Sequence, residues 1–506
     1  MSSAPEEAAP RRAEPAALGR RAAAALVFVA SAAVLVVEIA ALRLLAPYLG
    51  LTLETSTIVI GTALAAIALG SWSGGRMADT VPPRRALGPL LAVSGIAVAL
   101  TPFAVRGAGA LPGGSLLLML VSGLSIIIPG ALLSAVTPMV TKLRLHSLDQ
   151  TGTVVGRLSG IATVGAIVGT VLTGFVLISR VPVSGILVGL GVLLVVAAAA
   201  VELRVRGWRT AVAPAALVLL GGLAGAVAPG GCDVETTYHC AVVVTDPDRP
   251  TGRALLLDSA PHSYVDLADP TYLHFAYTKV VAAVIDSAYE PARALRAYHL
   301  GGGGLTVPRY LEQTRPGTTS VVSEIDAGVV AIDRERLGFR PSAGVEVRVE
   351  DGRLGLRRLP ADSQDLVVGD AFGGISVPWH LTTREAVADI ERVLTPDGVY
   401  AVNLLDHGPL AFARAEAATL AAIFDQVALA TETATLAGGP EAGGNLVLIA
   451  SDAPLNLTGL SERMAARQPD WSLLTGPELT AWIGDAPVLT DDYAPVDQLL
   501  TPYPAR

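Results

Sequence analysis

The residues that could do chemistry stand where short apolar runs of the chain end. The run 294–300 leads into four glycines, 301–304, and a second run, 319–323, ends in the acidic pair Glu324 and Asp326. When a strand, a glycine loop and a helix follow in this order, the glycines let the backbone approach a nucleotide. An acid that ends the next strand can then hold two ribose hydroxyls. This spacing predicts a nucleoside site in preference to a structural loop.

Two further acids repeat the pattern. Asp351 and Gly352 follow a third run, and Asp370 directly follows the run 365–369. Because the strands of a doubly wound sheet carry their ligands at their carboxyl ends, these side chains are expected around one ligand. The predicted ligand-binding residues are Gly301, Gly302, Gly303, Glu324, Asp351 and Gly352, with Asp370 at the same edge.

The elements that must hold these residues alternate between strands and helices. Thr306 and Pro308 have the types of an N-cap and a first-turn proline, so a helix is predicted after the glycine loop. Residues 239–259 contain two β-runs around a turn, which predicts a hairpin. We therefore predict a small β-rich region at 232–290 and a Rossmann-like α/β domain with a mostly parallel sheet at 291–506.

The first half of the chain has the composition of a membrane protein. Of 506 residues, 52% are apolar and 16% charged, and the net charge of −9 gives no basic footprint, so a nucleic-acid partner is set aside. Residues 1–21 are predicted as a disordered cytoplasmic tail, and 22–228 as a multi-pass helical bundle in the lipid bilayer. The seven predicted spans are 22–45, 53–73, 87–106, 115–139, 154–178, 182–202 and 210–228.

Positive charge sets the predicted orientation of these spans in the cell membrane. Lysine and arginine are concentrated in the tail and in the second, fourth and sixth connections, which places the N-terminus in the cytoplasm. Seven spans would leave the soluble half outside the cytoplasm, whereas six or eight would reverse its side. Cys232 and Cys240 follow the last span, and they either form a disulfide in an oxidising compartment or are two incidental thiols.

Two features of the membrane half carry hypotheses. Glu38 lies deep in the first span, and it is a candidate contact for an ion or substrate, or equally for a neighbouring helix. The segment 74–85, with Gly75 and Asp79, resembles the loop between the second and third helices of major facilitator transporters. Seven spans are too few for the two six-helix halves of such a transporter, so this resemblance implies shared packing and topology only.

Five features of the soluble half carry a second resemblance: the hairpin, the loop LGGGG, the pair in SEID, EDG at 350–352, and DLVVGDAF. Together they cover most of residues 235–450, and they resemble the spermidine synthase family of polyamine aminopropyltransferases. The helical half is similar to that of bacterial membrane-fused members. The resemblance implies a class I methyltransferase-type Rossmann fold, a possible homodimer, and a reaction that needs no metal.

The resemblance also implies a role for each acid. Glu324 would hold the ribose of decarboxylated S-adenosylmethionine or of its thioether product. Asp351 would contact the adenine amine, and Asp370 would be the catalytic base beside the attacking amine. The donor is then a co-substrate and no cofactor is tightly bound, with S-adenosylmethionine itself as the alternative. His262 and Tyr272 fall at substrate-binding positions.

The sequence departs from the family pattern at several positions. Gly304 stands where the glycine loop has an acid, and Gly373 stands at the second acid of the active-site loop. His262 stands where a glutamine is expected, and Leu273 and His274 replace polar and acidic residues. Because carboxylates attract a polycationic amine, their loss weakens that attraction.

Three functions are therefore open. The first is a membrane-anchored transferase that moves an aminopropyl group to a putrescine-like amine, with Asp370 as base. The second is a catalytically silent module that binds a nucleoside or polyamine for a transport-like membrane half. The third is an S-adenosylmethionine-dependent methyltransferase. A soluble half outside the cytoplasm would favour the second, because the sulfonium donor is made in the cytoplasm.

Overall fold

The computed structural model describes residues 19–49, 53–109, 115–145, 151–178, 180–206, 232–258, 260–439 and 442–501. Most described residues before 207 form a helical unit, and those from Cys232 onward form an α/β unit. Residues 1–18 of the predicted tail and the seventh predicted span, 210–228, lie outside the described residues.

The helical unit contains long apolar helices. They are α1 (Arg20–Leu49), α2 (Leu53–Thr80), α3 (Pro83–Gly109), α4 (Ser115–Ser134), α5 (Val136–Arg144), α6 (Thr151–Leu172, continued by a π-helical turn, Thr173–Leu177) and α7 (Val183–Arg206). Within the described residues, six segments are long and apolar enough to cross a bilayer: Arg20–Ala46, Thr55–Thr80, Pro83–Gly109, Leu117–Arg144, Thr151–Leu177 and Val183–Leu203. The first six predicted spans are confirmed as helices, and the fourth is built from α4 and α5 together.

Glycine lets these helices approach closely. A Cβ on Gly95 of α3 would lie 2.6 Å from the carbonyl oxygen of Gly191, and a Cβ on Gly191 of α7 would lie 2.5 Å from that of Gly95. Any side chain there would push the two backbones apart, so small residues are what the packing requires.

Two polar residues singled out in the membrane half have different surroundings. Glu38 is half-buried on α1, and its functional role stays a prediction. Asp79, in the transporter-like segment, accepts a hydrogen bond from Lys142 Nζ at 2.7 Å, which ties the end of α2 to α5.

The α/β unit begins with a small antiparallel sheet. Its strands are β1 (Val234–Glu235), β2 (Cys240–Thr245), β3 (Gly252–Leu257) and β4 (Ala260–Asp266), hydrogen-bonded in chain order. The predicted hairpin is confirmed as β2 and β3, which pair from Ala241 with Leu257 to Thr245 with Arg253. A disulfide joins Cys232 to Cys240 across the start of this sheet.

The main sheet has eight strands in the order β12-β10-β11-β9-β8-β5-β6-β7. They are β5 (Arg296–Leu300), β6 (Thr319–Glu324), β7 (Val345–Val349), β8 (Gln364–Gly369), β9 (Leu394–His407), β10 (Gln426–Glu432), β11 (Gly443–Ser451) and β12 (Trp471–Thr475). Strands β5 to β9 are parallel, as predicted for a Rossmann-like domain. The late runs β10 and β11 join the sheet in antiparallel pairs, and β12 was not predicted.

Helices cover both faces of this sheet, so its central strands are apolar on both sides. Ala297 packs in one buried cluster and its neighbour Tyr298 in the other. Alternate residues of a strand point to opposite faces, which explains this division. The helices of the unit are α8 (Ala276–Ala288), α9 (Thr306–Thr314), α10 (Ala327–Glu335), α11 (Gly352–Arg357), α12 (Arg384–Val393), α13 (Ala411–Ala421), α14 (Thr433–Ala437), α15 (Leu457–Arg467), α16 (Gly476–Ile483) and α17 (Val496–Leu499).

The helix predicted after the glycine loop is present as α9, but its predicted N-cap was wrong. Leu305 occupies the cap position with φ +53°, and no side chain caps the helix. Thr306 is the first helical residue, and its hydroxyl instead donates to the Tyr264 carbonyl at 3.1 Å. The small sheet therefore competes for the hydroxyl that local sequence would assign to the helix end. Pro308 lies in the first turn, as predicted.

Candidate active site

One cavity lies at the carboxyl ends of the parallel strands. The backbone N–H of Asp370 donates to the Leu300 carbonyl at 2.9 Å, so the ends of β5 and β8 are joined there. The lining of the cavity includes His262 and the seven residues predicted to surround one ligand, which are Gly301, Gly302, Gly303, Glu324, Asp351, Gly352 and Asp370. Their convergence follows from the strand order, whereas their individual roles stay predictions.

The glycine loop needs its glycines at the strand end. Gly301 has φ +97°, and a Cβ there would lie 2.2 Å from the carbonyl oxygen of Asp370. A side chain at this position would therefore clash with the backbone after β8. A Cβ on Gly302 would lie 2.9 Å from the Glu324 Cβ, so this glycine keeps open the space beside the acid.

Glu324 is held by backbone donors. Its Oε2 accepts from the Gly302 N–H at 2.8 Å and its Oε1 from the Asp326 N–H at 2.8 Å. Burial raises the pKa of Glu324, and these two bonds act in the opposite direction. Each carboxylate oxygen keeps a lone pair, so the group can accept further hydrogen bonds from two adjacent hydroxyls.

Asp326, the second acid of the predicted pair, has a structural position. It is buried and its Oδ1 accepts from the Gly328 N–H at 2.8 Å, which caps α10. Its Oδ2 accepts from the Thr236 hydroxyl of the small sheet. Of the two acids, only Glu324 lines the cavity.

Asp351 already has a partner for each oxygen. Its Oδ1 caps α11 by accepting from the Leu354 N–H at 2.9 Å, and its Oδ2 lies 2.9 Å from His380 Nε2. His380 also lines the cavity and was not predicted. A ligand amine at Asp351 would share the oxygen that His380 contacts.

Asp370 is fixed by two donors from distant elements. Tyr277 of α8 donates its hydroxyl to Oδ2 at 2.8 Å, and Asn403 of β9 donates to Oδ1 at 2.9 Å. Asn445 of β11 in turn donates to Asn403 Oδ1 at 2.9 Å, which sets the orientation of that amide. Burial raises the pKa of Asp370 to about 6, although both donors lower it. This carboxylate is ionised at neutral pH and can accept a proton.

The sequence analysis missed Tyr277 and Asn403. Asn403 stands alone inside the apolar run 399–405, and an isolated amide in a buried strand is a signal that it has a specific partner. Tyr277 carries no such signal, because an aromatic residue on an apolar helix is normal for a core.

A second missed pair lies on the small sheet. His239 Nδ1 lies 2.7 Å from Asp258 Oδ2, and Asp258 Oδ1 accepts from the Cys240 N–H at 2.9 Å. His239 lines the cavity, and its ring centroid is 6.1 Å from that of His262. When Nδ1 donates to Asp258, Nε2 is the acceptor of the ring. The disulfide half-cystine Cys240 thus adjoins a cavity residue.

His262 is held as a neutral ring. Its pKa is lowered to about 4, chiefly by burial and also by the nearby His239. Its ring lies 6.4 Å from that of Phe372 in an edge-on arrangement. A neutral imidazole can replace a glutamine as a hydrogen-bonding group, but it adds no negative charge for an amine.

Tyr272 does not lie among the residues that line the cavity. Its ring packs 5.8 Å from that of Tyr264 and lies beneath the Arg249 guanidinium, 3.7 Å from the ring centroid. Arg249 is itself paired with Asp266. The predicted substrate contact of Tyr272 stays a prediction.

The two glycines that replace family acids differ in the space around them. Gly304 has φ +72°, and a Cβ there would lie 2.3 Å from Ser263 Oγ. Its N–H donates to the buried Asp333 Oδ1 at 2.9 Å. Around Gly373 the nearest atom to a new Cβ would be 3.9 Å away. The packing therefore resists an acid at Gly304 and leaves room for one at Gly373.

Comparison with known proteins finds polyamine aminopropyltransferases that are similar to this chain. No family model matches the sequence. The polyamine aminopropyltransferase of Vibrio vulnificus is 27% identical over 250 residues, which are 45% of this chain and 76% of that protein. The polyamine aminopropyltransferase of Chromobacterium violaceum is 26% identical over 141 residues, 28% of this chain and 53% of that protein. The match thus spans three quarters of one relative and about half of the other.

Among solved structures, a probable spermidine synthase from Corynebacterium glutamicum matches with a TM-score of 0.48 and 26% identity. The match covers 52% of this chain and 97% of that one. The Vibrio vulnificus match covers a little under half of this chain, and residues of the motifs that carry the sequence resemblance line the cavity. The chain is therefore similar to polyamine aminopropyltransferases of the spermidine synthase family, and its N-terminal half adds long apolar helices.

Proposed function

We propose that this protein is a membrane-anchored transferase that moves an aminopropyl group from decarboxylated S-adenosylmethionine to an amine, with Asp370 as the base. One observation carries the proposal. A partly buried carboxylate with two fixed donors lines the same cavity as the glycine loop and Glu324. A nucleoside site and a proton acceptor are thus adjacent, as the reaction requires.

The nucleoside end of the cavity is built from β5, β6 and β7. Glu324, oriented by the Gly302 and Asp326 N–H groups, would accept from the ribose hydroxyls. Asp351, which follows β7 through a single residue, would face the adenine amine. These positions support a sulfonium nucleoside that binds and leaves in each turnover.

The chemical step is a direct displacement. The acceptor nitrogen attacks the methylene carbon next to the sulfonium, the C–N bond forms, and the C–S bond breaks. The electron pair of that bond goes to sulfur, which leaves as the neutral thioether methylthioadenosine. The acceptor must lose a proton to expose its lone pair, and the Asp370 carboxylate takes it. Tyr277 and Asn403 hold that carboxylate in place.

The charge around the cavity indicates the kind of acceptor. Among the described lining residues the acids are Glu324, Asp351 and Asp370, and two of these belong to the nucleoside end. A single carboxylate remains where the acceptor would lie. We therefore expect a short, putrescine-like diamine to be a better acceptor than a longer polyamine.

One observation favours a second candidate, a silent module that binds a nucleoside or polyamine. A side chain at Gly304 would collide with Ser263, so the loop cannot carry the family acid without rearrangement. A module would bind the nucleoside and form no product. Product formation therefore separates the two candidates.

The test is product analysis on the full-length protein in detergent. Incubation with putrescine and decarboxylated S-adenosylmethionine should give spermidine and methylthioadenosine in equal amounts. Asp370→Asn should lower the rate at least about a hundredfold, because it removes the proton acceptor. The matched control is Asp362→Asn, at an exposed turn position with φ +52° that asparagine tolerates. No product from the wild type, or equal rates for both variants, would reject the proposal.

A further inference from the structure

A second cavity, of about 390 Å³, lies inside the helical unit and has no part in the proposed reaction. It is open to the surface of this unit and is bordered by the start of α1, the end of α5 and the start of α6. Its polar end has three arginines, Arg20, Arg144 and Arg157, one from each of these helices. Among the described residues, none of those that line it is a carboxylate.

The other wall of this cavity is apolar, and its shape follows from how α1 and α6 pack. A Cβ on Gly165 would lie 2.4 Å from the Phe28 carbonyl oxygen, and one on Gly169 would lie 2.6 Å from that of Ala32. Here the two helices touch through their backbones. Ile161, Leu158 and Val154 precede Gly165 by four, seven and eleven residues, so they lie on the same face of α6. These three side chains line the cavity together with Ala23 and Ala24 of α1.

The cavity therefore opens where glycines give way to larger side chains on α6. It lies at the beginnings of two segments that are apolar enough to cross a bilayer, Arg20–Ala46 and Thr151–Leu177. The ends of such segments lie at the level of the lipid headgroups. The positive charges of the cavity are thus at headgroup depth, and its apolar wall continues toward the acyl chains.

We propose that this cavity binds an anionic phospholipid, with the arginines on its phosphate and an acyl chain along the wall formed by α1 and α6. A guanidinium binds phosphate oxygens through two parallel hydrogen bonds, which suits it to this group better than to a small point charge. Basic pockets between membrane helices are a known means of holding such headgroups.

The apolar wall distinguishes a lipid from a free anion. A soluble phosphate would use the arginines alone and leave Val154, Leu158 and Ile161 uncovered. A lipid covers both the charged end and the apolar wall, so it gains hydrophobic free energy that free phosphate does not. A lipid with no net charge would cover the wall, but its own cation would compete with the arginines for the phosphate.

The test uses the full-length protein in detergent and thermal unfolding with added ligands. Dioleoyl phosphatidylglycerol should raise the unfolding temperature, and equal concentrations of dioleoyl phosphatidylcholine or glycerol 3-phosphate should not. In the double variant Arg144→Gln/Arg157→Gln, the affinity for phosphatidylglycerol should fall at least about tenfold, since two charge-assisted hydrogen-bonding groups are lost. The matched control is Arg84→Gln/Arg85→Gln near the start of α3, which leaves the cavity intact and should keep the wild-type affinity.

Several outcomes would overturn the proposal. An equal shift with phosphatidylcholine would show that charge is not recognised, and an equal shift with glycerol 3-phosphate would show a site for free anions. An equal loss of affinity in the control variant would show non-specific attraction. If the cavity variant does not fold, the three ligands added to the wild type decide alone. A shift with phosphatidylglycerol and with neither of the other two ligands supports the site, and any other pattern rejects it.

Discussion

Asp370 shows how burial and hydrogen bonding oppose each other at one residue. Removing the carboxylate from water favours its protonated form and raises its pKa to about 6, whereas the Tyr277 hydroxyl and the Asn403 amide favour the ionised form. The balance leaves a base that is ionised at neutral pH and still basic enough to take a proton.

This balance predicts the pH dependence of the reaction. With both substrates saturating, kcat should fall about tenfold per pH unit below about 6, because only ionised Asp370 accepts the proton. Tyr277→Phe removes a donor that favours the ionised form, so the pKa of Asp370 rises and the acid limb moves to higher pH. The matched control, Tyr493→Phe, changes an exposed tyrosine and should leave the profile unchanged. A rate that is constant from pH 5 to 7 would contradict this assignment.

At the residue scale, the sequence predicted the acids and missed the groups that hold them. Glu324, Asp351 and Asp370 could be found because each ends an apolar run, which is a local pattern. Tyr277 of α8 and Asn403 of β9 reach Asp370, and His239 of the small sheet reaches the cavity, only through the tertiary fold. No pattern within a short window contains that fold.

At the scale of elements, the loops after β5 and β8 decide how many acids the cavity can hold. Gly304→Asp must adopt φ +72° and displace Ser263, so we expect the free energy of unfolding to fall by about 2–4 kcal/mol. Gly373→Asp has room for its side chain and ordinary backbone angles, so its stability should stay within about 1 kcal/mol of the wild type. Chemical denaturation of the full-length protein measures both. Equal stability of the two variants would contradict the packing argument.

The space around Gly373 also leads to a prediction about activity. The family resemblance implies that position 373 faces the acceptor amine, so the added charge in Gly373→Asp should raise kcat/KM for putrescine. Gly373→Asn has nearly the same shape without the charge and should not do so. Equal gains in both variants would show that shape, and not charge, limits the wild type.

Most elements could be predicted because helix and strand periods are local. The glycine loop, the five parallel strands and the hairpin follow from such patterns. The cap of α9 could not be predicted in this way, because the Thr306 hydroxyl donates to the Tyr264 carbonyl of the small sheet. The reversed direction of β11, which makes it antiparallel to both β9 and β10, could not be predicted either, because strand direction depends on connections that apolar runs do not encode.

At the scale of the whole molecule, the chain joins apolar helices to an α/β unit, and it is similar to polyamine aminopropyltransferases. Six helices fit a multi-pass membrane protein. The cytoplasmic N-terminus stays a prediction from the charge of the connections, and the side of the α/β unit depends on the seventh predicted span. The Cys232–Cys240 disulfide agrees with an oxidising compartment, whereas the sulfonium donor is made in the cytoplasm. The function of the α/β unit thus depends first on whether its cavity takes the nucleoside.

The most direct measurement is calorimetric titration of the full-length protein with methylthioadenosine. The wild type should bind it, and Glu324→Gln should bind at least about tenfold more weakly, because the ribose loses its charged acceptor. Glu346→Gln makes the same change at an exposed position of β7 and should bind as the wild type does. No heat with the wild type, or equal affinity in the Glu324→Gln variant, would contradict the central claim that Glu324 and the glycine loop form a nucleoside site.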